Sequence, residues 1–433
     1  MRRISMEMRA ICAQMRRICI ETGYRRRVIR RPQVILALLT ALNLLNYLDR
    51  YVLSVVLPSA QEELGFSKLV GGSMATVFLL GYFFTSPFFG TMSDRARQGG
   101  RKKLIALGIA VWSLATVASG MATGTWSLVA ARAFVGVGEA SYATIAPTII
   151  DDVAPPLKKG RWLSIFYLAI PVGSALGYIV GGRVLSVTHD WRMAFYVAGV
   201  PGLVLALVCL LIAEPPRQAA HHRPAILDSA RELLAIRTYR LMLFGYCAYT
   251  FALGGFAYWA PTYLHLQYGL EAGSAGQTFG TVTVVGGAIG TLFGGWLADR
   301  WSGGKSDDPS VVRASLRVCV WSAGLGAPLA LAAILSPTGT TFFWLLLPCE
   351  IALFLSSGPV NTAVLRSVPV GLRASAMALS IFAIHALGDL WSPPLIGLVA
   401  DHAPMAWAML AGPAVFALGA LFWWRAVASV RLT

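Results

Sequence analysis

Windows of about 20 mostly apolar residues, the length a helix needs to cross a bilayer core, can be cut twelve times from this sequence, with short polar connections between most of them. They run approximately Val34 to Leu57, Val70 to Met92, Leu104 to Ala122, Ser127 to Ile150, Trp162 to Val184, Met193 to Ala213, Leu241 to Leu264, Ala275 to Ala298, Val312 to Leu335, Phe342 to Leu365, Ala374 to Ala400 and Ala406 to Val427. The chain is thus expected to be an all-α membrane protein of twelve transmembrane helices. Hydrophobic residues make up 56% of the 433 and charged ones 13%, which leaves too little polar surface to cover a soluble globule.

Basic residues set the orientation. Of 36 Lys and Arg, 31 fall before the first span, after the even-numbered spans or at the C-terminal end; the other five are Arg50, Lys68, Arg132, Arg183 and Arg192. By the positive-inside rule both termini and the central linker face the cytoplasm, in the inner membrane if the source is bacterial. The net charge of +16 then reads as topology plus attraction to anionic membrane lipids, not nucleic-acid binding. The arm 1–32 is too charged for a signal-peptide core and reads either as an amphipathic surface helix or as a basic tail. Six cysteines form no CxxC, so neither metal nor disulfide chemistry is indicated, and no cofactor is implied.

The linker 214–240 separates a first half, 33–213, from a second, 241–433, and short motifs recur at equivalent places in both. "GTMSDR" at Gly90 to Arg95 returns as "GWLADR" at Gly295 to Arg300, and "SIF" at Ser164 returns at Ser380. Such repetition marks two pseudo-symmetric six-helix halves of a transporter. The pattern Gly-x-x-x-Asp-Arg followed by "GGRKK" resembles the signature loop of the major facilitator superfamily, and the resemblance covers essentially the whole chain. "NYLDRYVLS", "GVGEASY", "GGFAYWAPTYL" and "HALGDLWSPPLIG", in the first, fourth, seventh and eleventh spans, are similar to the Spinster subfamily, whose members export sphingosine phosphate or lysophospholipids.

The resemblance implies a proton-coupled transporter, not an enzyme, working by alternating access, and most simply a monomer. Its expected cargo is an amphiphilic lipid exported against inward proton flow; small organic anions or drugs are the alternative. A membrane-embedded enzyme is disfavoured because no HExxH, GxSxG or paired-histidine metal spacing occurs. At the cytoplasmic face, Asp94 is expected to accept hydrogen bonds from the N-terminus of the eleventh helix, while Arg95 and the basic cluster pair with Asp151 or Asp152. Asp299 and Arg300 repeat the arrangement. Glycines four apart in "PVGSALGYIVGG" let the fifth helix pack closely on a neighbour.

An ionisable side chain at a helix centre costs about 2.5 to 3.5 kcal/mol on insertion scales, so those present need a partner, water or a task. Asp49, Arg50, Arg132, Glu139, His385 and Asp389 qualify. Asn43, Asn46, Asp49 and Arg50 lie within about a third of the circumference of the first helix and are expected to line a cavity. Asp49 either pairs permanently with Arg50 or Arg132, or shares a coupling proton with Glu139 while Arg50 and Arg132 switch partners or hold a head group. The second reading is favoured because an isolated pair does not explain a second acid, Glu139, on the fourth helix; burial favours a protonated carboxylate and a nearby arginine an ionised one, so a pair that breaks and forms can bind and release a proton. His385 and Asp389, four apart, share a face, for a structural pair or for handling cargo or protons. In the seventh span Tyr246 and Tyr249 are expected in the cavity and Trp259 in the interfacial aromatic belt, around a possible bend at Gly254-Gly255 and Pro261. Glu350, in the tenth span after Pro348, is expected to point either to the cavity or to a neighbouring helix and is secondary.

Overall fold

The structure is a computed structural model that describes residues 29, 31–96, 99–155, 159–214, 226–303 and 308–430. The spans are α1 (Pro32–Leu64), α2 (Lys68–Arg95), α3 (Gly100–Gly120), α4 (Thr125–Val153), α5 (Lys159–Thr188) and α6 (Trp191–Cys209) in the first half. In the second they are α7 (Arg237–Tyr268), α8 (Ala272–Trp301), α9 (Asp308–Ile334), α10a (Gly339–Phe354) with α10b (Ser357–Arg366), α11a (Arg373–Ile384) with α11b (Ser392–His402), and α12a (Met405–Met409) with α12b (Ala411–Ser429). A short helix, Ile226–Ala235, lies in the linker. The twelve spans read from the sequence are all present. The fold is a two-half bundle whose helices alternate between a linker end, where the described chain begins and stops, and a far end.

Several boundaries differ from the sequence reading, for local reasons. α1 runs past Pro58 for another turn and a half because Ala60 remains buried, and it stops at Gly65, whose left-handed φ of 68° closes the helix through its N–H to Gln61. α6 ends early because the strand-like segment behind it pairs with the end of the arm: Ile29 donates to Leu211 and Ala213 to Ile29, at 2.8 and 2.9 Å. α11 is broken by a π-turn at His385–Asp389. Beyond it Pro393 and Pro394 carry no N–H, which leaves the Leu390 carbonyl without its helical donor.

Each half has its own core. Ile105, Trp112, Tyr142 and Phe166 centre the first, and Tyr239, Phe416 and Trp423 the second. A third cluster crosses between the halves at the far end, with Leu57, Tyr178, Trp259, Tyr263 and Phe279. The fifth helix packs as its glycines suggest: a methyl carbon on Gly173 or Gly177 would come within 2.5 and 2.6 Å of the Leu44 and Leu48 carbonyl oxygens of α1.

Candidate functional site

Four charges meet where α1 and α4 cross inside the first half. Successive helical residues point about 100° apart, so Asp49 and Arg50 leave α1 in different directions. Residues seven apart return to one face, so Arg132 and Glu139 stand two turns apart on the same side of α4. The fold therefore makes two pairs. Asp49 faces Arg132 at 3.6 Å and accepts 2.6 Å from the Thr116 hydroxyl. Arg132 donates to the Ser119 hydroxyl at 2.8 and 3.1 Å and lies over the Phe195 ring. Arg50 reaches one oxygen of Glu139 with two nitrogens, at 2.6 and 2.8 Å.

Both arginines border the same cavity, but they differ in exposure. Asp49, Arg132 and Glu139 are buried, whereas the Arg50 side chain keeps 19% of its surface exposed, between the rings of Tyr47 and Phe78 at 4.6 and 4.8 Å. Arg50 thus stands with one side on Glu139 and the other on a cavity of about 260 Å³ between the halves. Its opposite wall carries Tyr258, His385 and Asp389. His385 Nδ1 is 3.0 Å from both carboxylate oxygens of Asp389, and each side chain is about a quarter exposed. An arginine on one wall therefore faces a carboxylate on the other.

At the far end the halves are tied together. Ser54 donates to the Tyr258 carbonyl at 2.6 Å, Tyr178 to Ala257 at 2.7 Å, and Tyr258 to Gly71 at 2.6 Å. Thr76 takes up the Leu390 carbonyl that Pro394 leaves free, at 2.7 Å. Asp401, ending α11b, accepts the Lys68 and Leu69 N–H groups at the start of α2, at 2.7 and 2.9 Å, and Ser186 bonds Glu271 at 3.0 Å. These hydrogen bonds between the halves gather at the far end, so the bundle is closed there.

Residues 39–388 match the Major Facilitator Superfamily. The chain is 32% identical over 407 residues to the probable sphingolipid transporter spinster homolog 2 of Arabidopsis thaliana, across 86% of this chain and 81% of that one. It is 35% identical over 404 residues to protein spinster homolog 1 of Homo sapiens, across 87% and 74%. The chain is a spinster-family transporter of the major facilitator superfamily. Its fold matches that of a bacterial homolog to the human lysosomal transporter Spinster, in an inward-facing and unoccupied conformation, with a TM-score of 0.80 at 21% identity over 93% of this chain and 98% of that one. The fold also matches that of a D-xylose-proton symporter, with a TM-score of 0.70 at 17% identity over 90% of this chain and 97% of that one.

In this spinster-family chain several expected positions are corrected. Of the polar face of α1 only Arg50 lines the cavity. Asn43 donates to the Phe166 carbonyl of α5 at 3.0 Å, and Asn46 and Asp49 are buried within the first half, because three helices enclose that side of α1. Tyr249 lies in the core of the second half, against Phe416 and Trp423, with its hydroxyl on the Leu353 carbonyl at 2.8 Å. Tyr246 packs beside that core and is not among the cavity-lining residues. Trp259 is fully buried, bonded to the Pro393 carbonyl at 2.8 Å, rather than placed in an interfacial belt. The aromatic of α7 that reaches the cavity is Tyr258.

At the linker end the arginine pairing is realised by Arg101, which holds Asp152 at 2.6 Å and Glu214 at 3.0 Å, while Lys159 takes Asp151 at 2.8 Å. The Asp94 side chain lies outside the described residues. Arg95, Asp299 and Arg300 are exposed, Arg300 over the Trp296 ring. His221 and His222 of the linker are also outside the described set. The sequence carries a signal for Asp401 as well: Gly397 to Asp401 repeats, at the end of a span, the Gly-x-x-x-Asp of Gly90 to Asp94 and Gly295 to Asp299.

Proposed function

We propose that this transporter moves an amphiphile with a phosphate-bearing head and couples its passage to protons, with Asp49 and Glu139 as the proton-binding acids and Arg50 as the group that changes partner. The position of Arg50 between Glu139 and the cavity carries the reading. A phosphate in the cavity competes for the same guanidinium, and a buried carboxylate that loses its counter-charge is stabilised by a proton instead. Arg132, tied to Asp49, is the second such pair. Phe78, Met74 and Leu79 give the cavity an apolar flank for a tail.

The opposite wall supports a zwitterionic head and export in exchange for protons. An ammonium group and a proton exclude each other at Asp389, which is the logic of exchange, whereas an anion on Arg50 and a proton on Glu139 bind together, which is the logic of co-transport. The 31-to-5 division of basic residues supports a cytoplasmic position for both termini and the linker, and the chain acts as a monomer of two halves, 33–213 and 241–433. The cavity then opens to the cytoplasm.

Purified protein in liposomes with an internal pH dye tests the reading, with lysophospholipids, sphingoid phosphates, cationic drugs and organic acids added in turn. Proton movement driven by a zwitterionic lipid is expected: opposite to the lipid where its ammonium displaces a proton at Asp389, and with the lipid where its phosphate loads Glu139. Movement only with small acids, in the same direction as the acid, would make the chain an anion co-transporter, and lipid uptake without proton movement would remove the coupling.

A further inference from the structure

The second half holds one more acid, Glu350 of α10a, that the preceding reading does not use. The halves repeat each other, so α10 corresponds to α4 and α7 to α1. Counted from their far ends, Glu139 is the fifteenth residue of α4 and Glu350 the twelfth of α10a, which places both near mid-membrane. Their partners differ. α1 supplies Arg50 to Glu139, but α7 from Leu241 to Leu264 contains no Lys, Arg, His, Asp or Glu. The second half thus has an acid at similar depth with no arginine on the helix that corresponds to α1.

The packing around Glu350 gives the same picture. It is 2% exposed, its Oε2 has no hydrogen-bond partner, and no ion pair reaches it among the described residues. α8 lies so close that a methyl carbon on Gly286 would stand 2.7 Å from the Glu350 Cβ. The titratable groups around it are Tyr178 of α5, Tyr249 of α7 and its neighbour Cys349, with the Thr283 hydroxyl on α8. Tyr178 and Tyr249 already give their hydroxyl protons to the Ala257 and Leu353 carbonyls. α9, packed on the other side, turns Cys319 and Ser322 into the same core, and Ser322 also bonds Leu353. None of these groups is a cation, and an isolated carboxylate in such surroundings is far less stable than the neutral acid.

We propose that Glu350 is a second proton-binding site of this transporter, loaded as a carboxylic acid while the far end is closed and able to release its proton to water when the helices around it part. The step is a simple ionisation, carboxylic acid to carboxylate plus a proton taken up by water. It extends the proton-coupled reading to the second half, yet the state of Glu350 can be read apart from coupling.

The test is infrared difference spectroscopy of the purified full-length transporter at neutral and alkaline pH, in H₂O and D₂O. It compares the parent with Glu350→Gln, Glu350→Asp, Glu139→Gln and Asp49→Asn. The parent should show a deuterium-sensitive carboxylic-acid C=O band that is absent in Glu350→Gln, displaced but retained in Glu350→Asp, and unchanged in Asp49→Asn. A parent without such a band at neutral pH, or a Glu350→Gln spectrum that keeps it whole, would overturn the proposal. If Glu350→Gln does not fold, an undisplaced band in Glu350→Asp overturns it equally. Loss of proton movement in the first-half variants with the Glu350 band intact would support both readings, and retention of proton movement there would sink only the first-half coupling.

Discussion

Gly72→Ala should drive the transporter out of the conformation described here. Gly72 of α2 sits against α11b so closely that an added methyl carbon would lie 2.5 Å from the carbonyl carbon of Pro393 and 2.7 Å from the nitrogen of Pro394. Carbon contacts are comfortable at about 3.5 to 4.0 Å, so the two helices must part locally by roughly 1 Å. The obstacle is backbone on both sides and cannot swing away as a side chain would. Overpacking of this kind costs about 1 to 3 kcal/mol. The cost exists only while the far end is closed, so it acts on the balance between conformations and not on folding. That is an expected shift of about 5- to 150-fold toward the far-open state.

Spin labels at Glu62 on α1 and Thr340 on α10a, both exposed at the far end, placed in a background lacking native cysteines, read the shift as a longer distance population. Gly397→Ala probes the same seam from the other helix, since its methyl carbon would stand 2.7 Å from the Lys68 carbonyl carbon. Gly412→Ala meets nothing within 4 Å and serves as the control. Distance distributions in Gly72→Ala and Gly397→Ala that match the control, in protein that folds normally, would refute the claim that this seam is what closes the far end.

Glu139→Gln and Asp49→Asn should each abolish cargo-driven proton movement in liposomes while leaving cargo binding within a few-fold of the parent, because the amide imitates the protonated acid. Arg50→Ala should lower binding and coupling together, since it strands Glu139 and removes a head-group contact; binding equal to the parent by calorimetry would take Arg50 out of the site. Tyr249→Phe should lower thermal stability by about 0.5 to 1 kcal/mol, the worth of one buried hydrogen bond, with no dependence of transport on lipid chain length. A chain-length effect would return Tyr249 to the cavity. Asp94→Asn should raise labelling of a cysteine lining the linker end, and unchanged labelling would dismiss a latch there.

The sequence makes the charged core visible because six ionisable residues in otherwise apolar spans stand out against the cost of burying them. It does not say who pairs with whom. Asp49 and Arg50 are adjacent, and the choice of Arg132 for one and Glu139 for the other depends on how α1 is rotated against α4, a tertiary fact. The same limit explains Tyr249. A helix buried on most of its circumference has no polar side to betray which aromatics face a cavity, so depth alone pointed to Tyr249 when the rotation of α7 puts Tyr258 there. The four-residue spacing puts His385 and Asp389 on one face, where they meet at 3.0 Å, but it does not reveal the π-turn between them. Its traces are Gly388 and the Pro393-Pro394 pair, whose consequence, an orphaned carbonyl at Leu390, becomes meaningful only when Thr76 from the other half is seen to occupy it.

Asp401 shows why the closing contacts were read at the linker end only. The motif there is marked by the arginines and lysines that follow Asp94, and no Lys or Arg follows Asp401 within reach. Yet the chemistry needs only the carboxylate. At the end of α11b, Asp401 accepts two N–H groups from the first turn of α2, where four amides of any helix lack internal partners. The expected role of Asp94 is the mirror of this: the last residues of α2 on the first turn of α11a. The two helices would then exchange donor and acceptor ends as the bundle rocks. Hydrogen bonds between membrane helices are worth roughly 0.6 kcal/mol each, so the far-end set amounts to a few kcal/mol, and a bundle that must also close its other face needs a comparable set there. Two closures of similar strength keep either state within reach of the few kcal/mol that cargo and protons can supply. One much stronger than the other would trap the transporter.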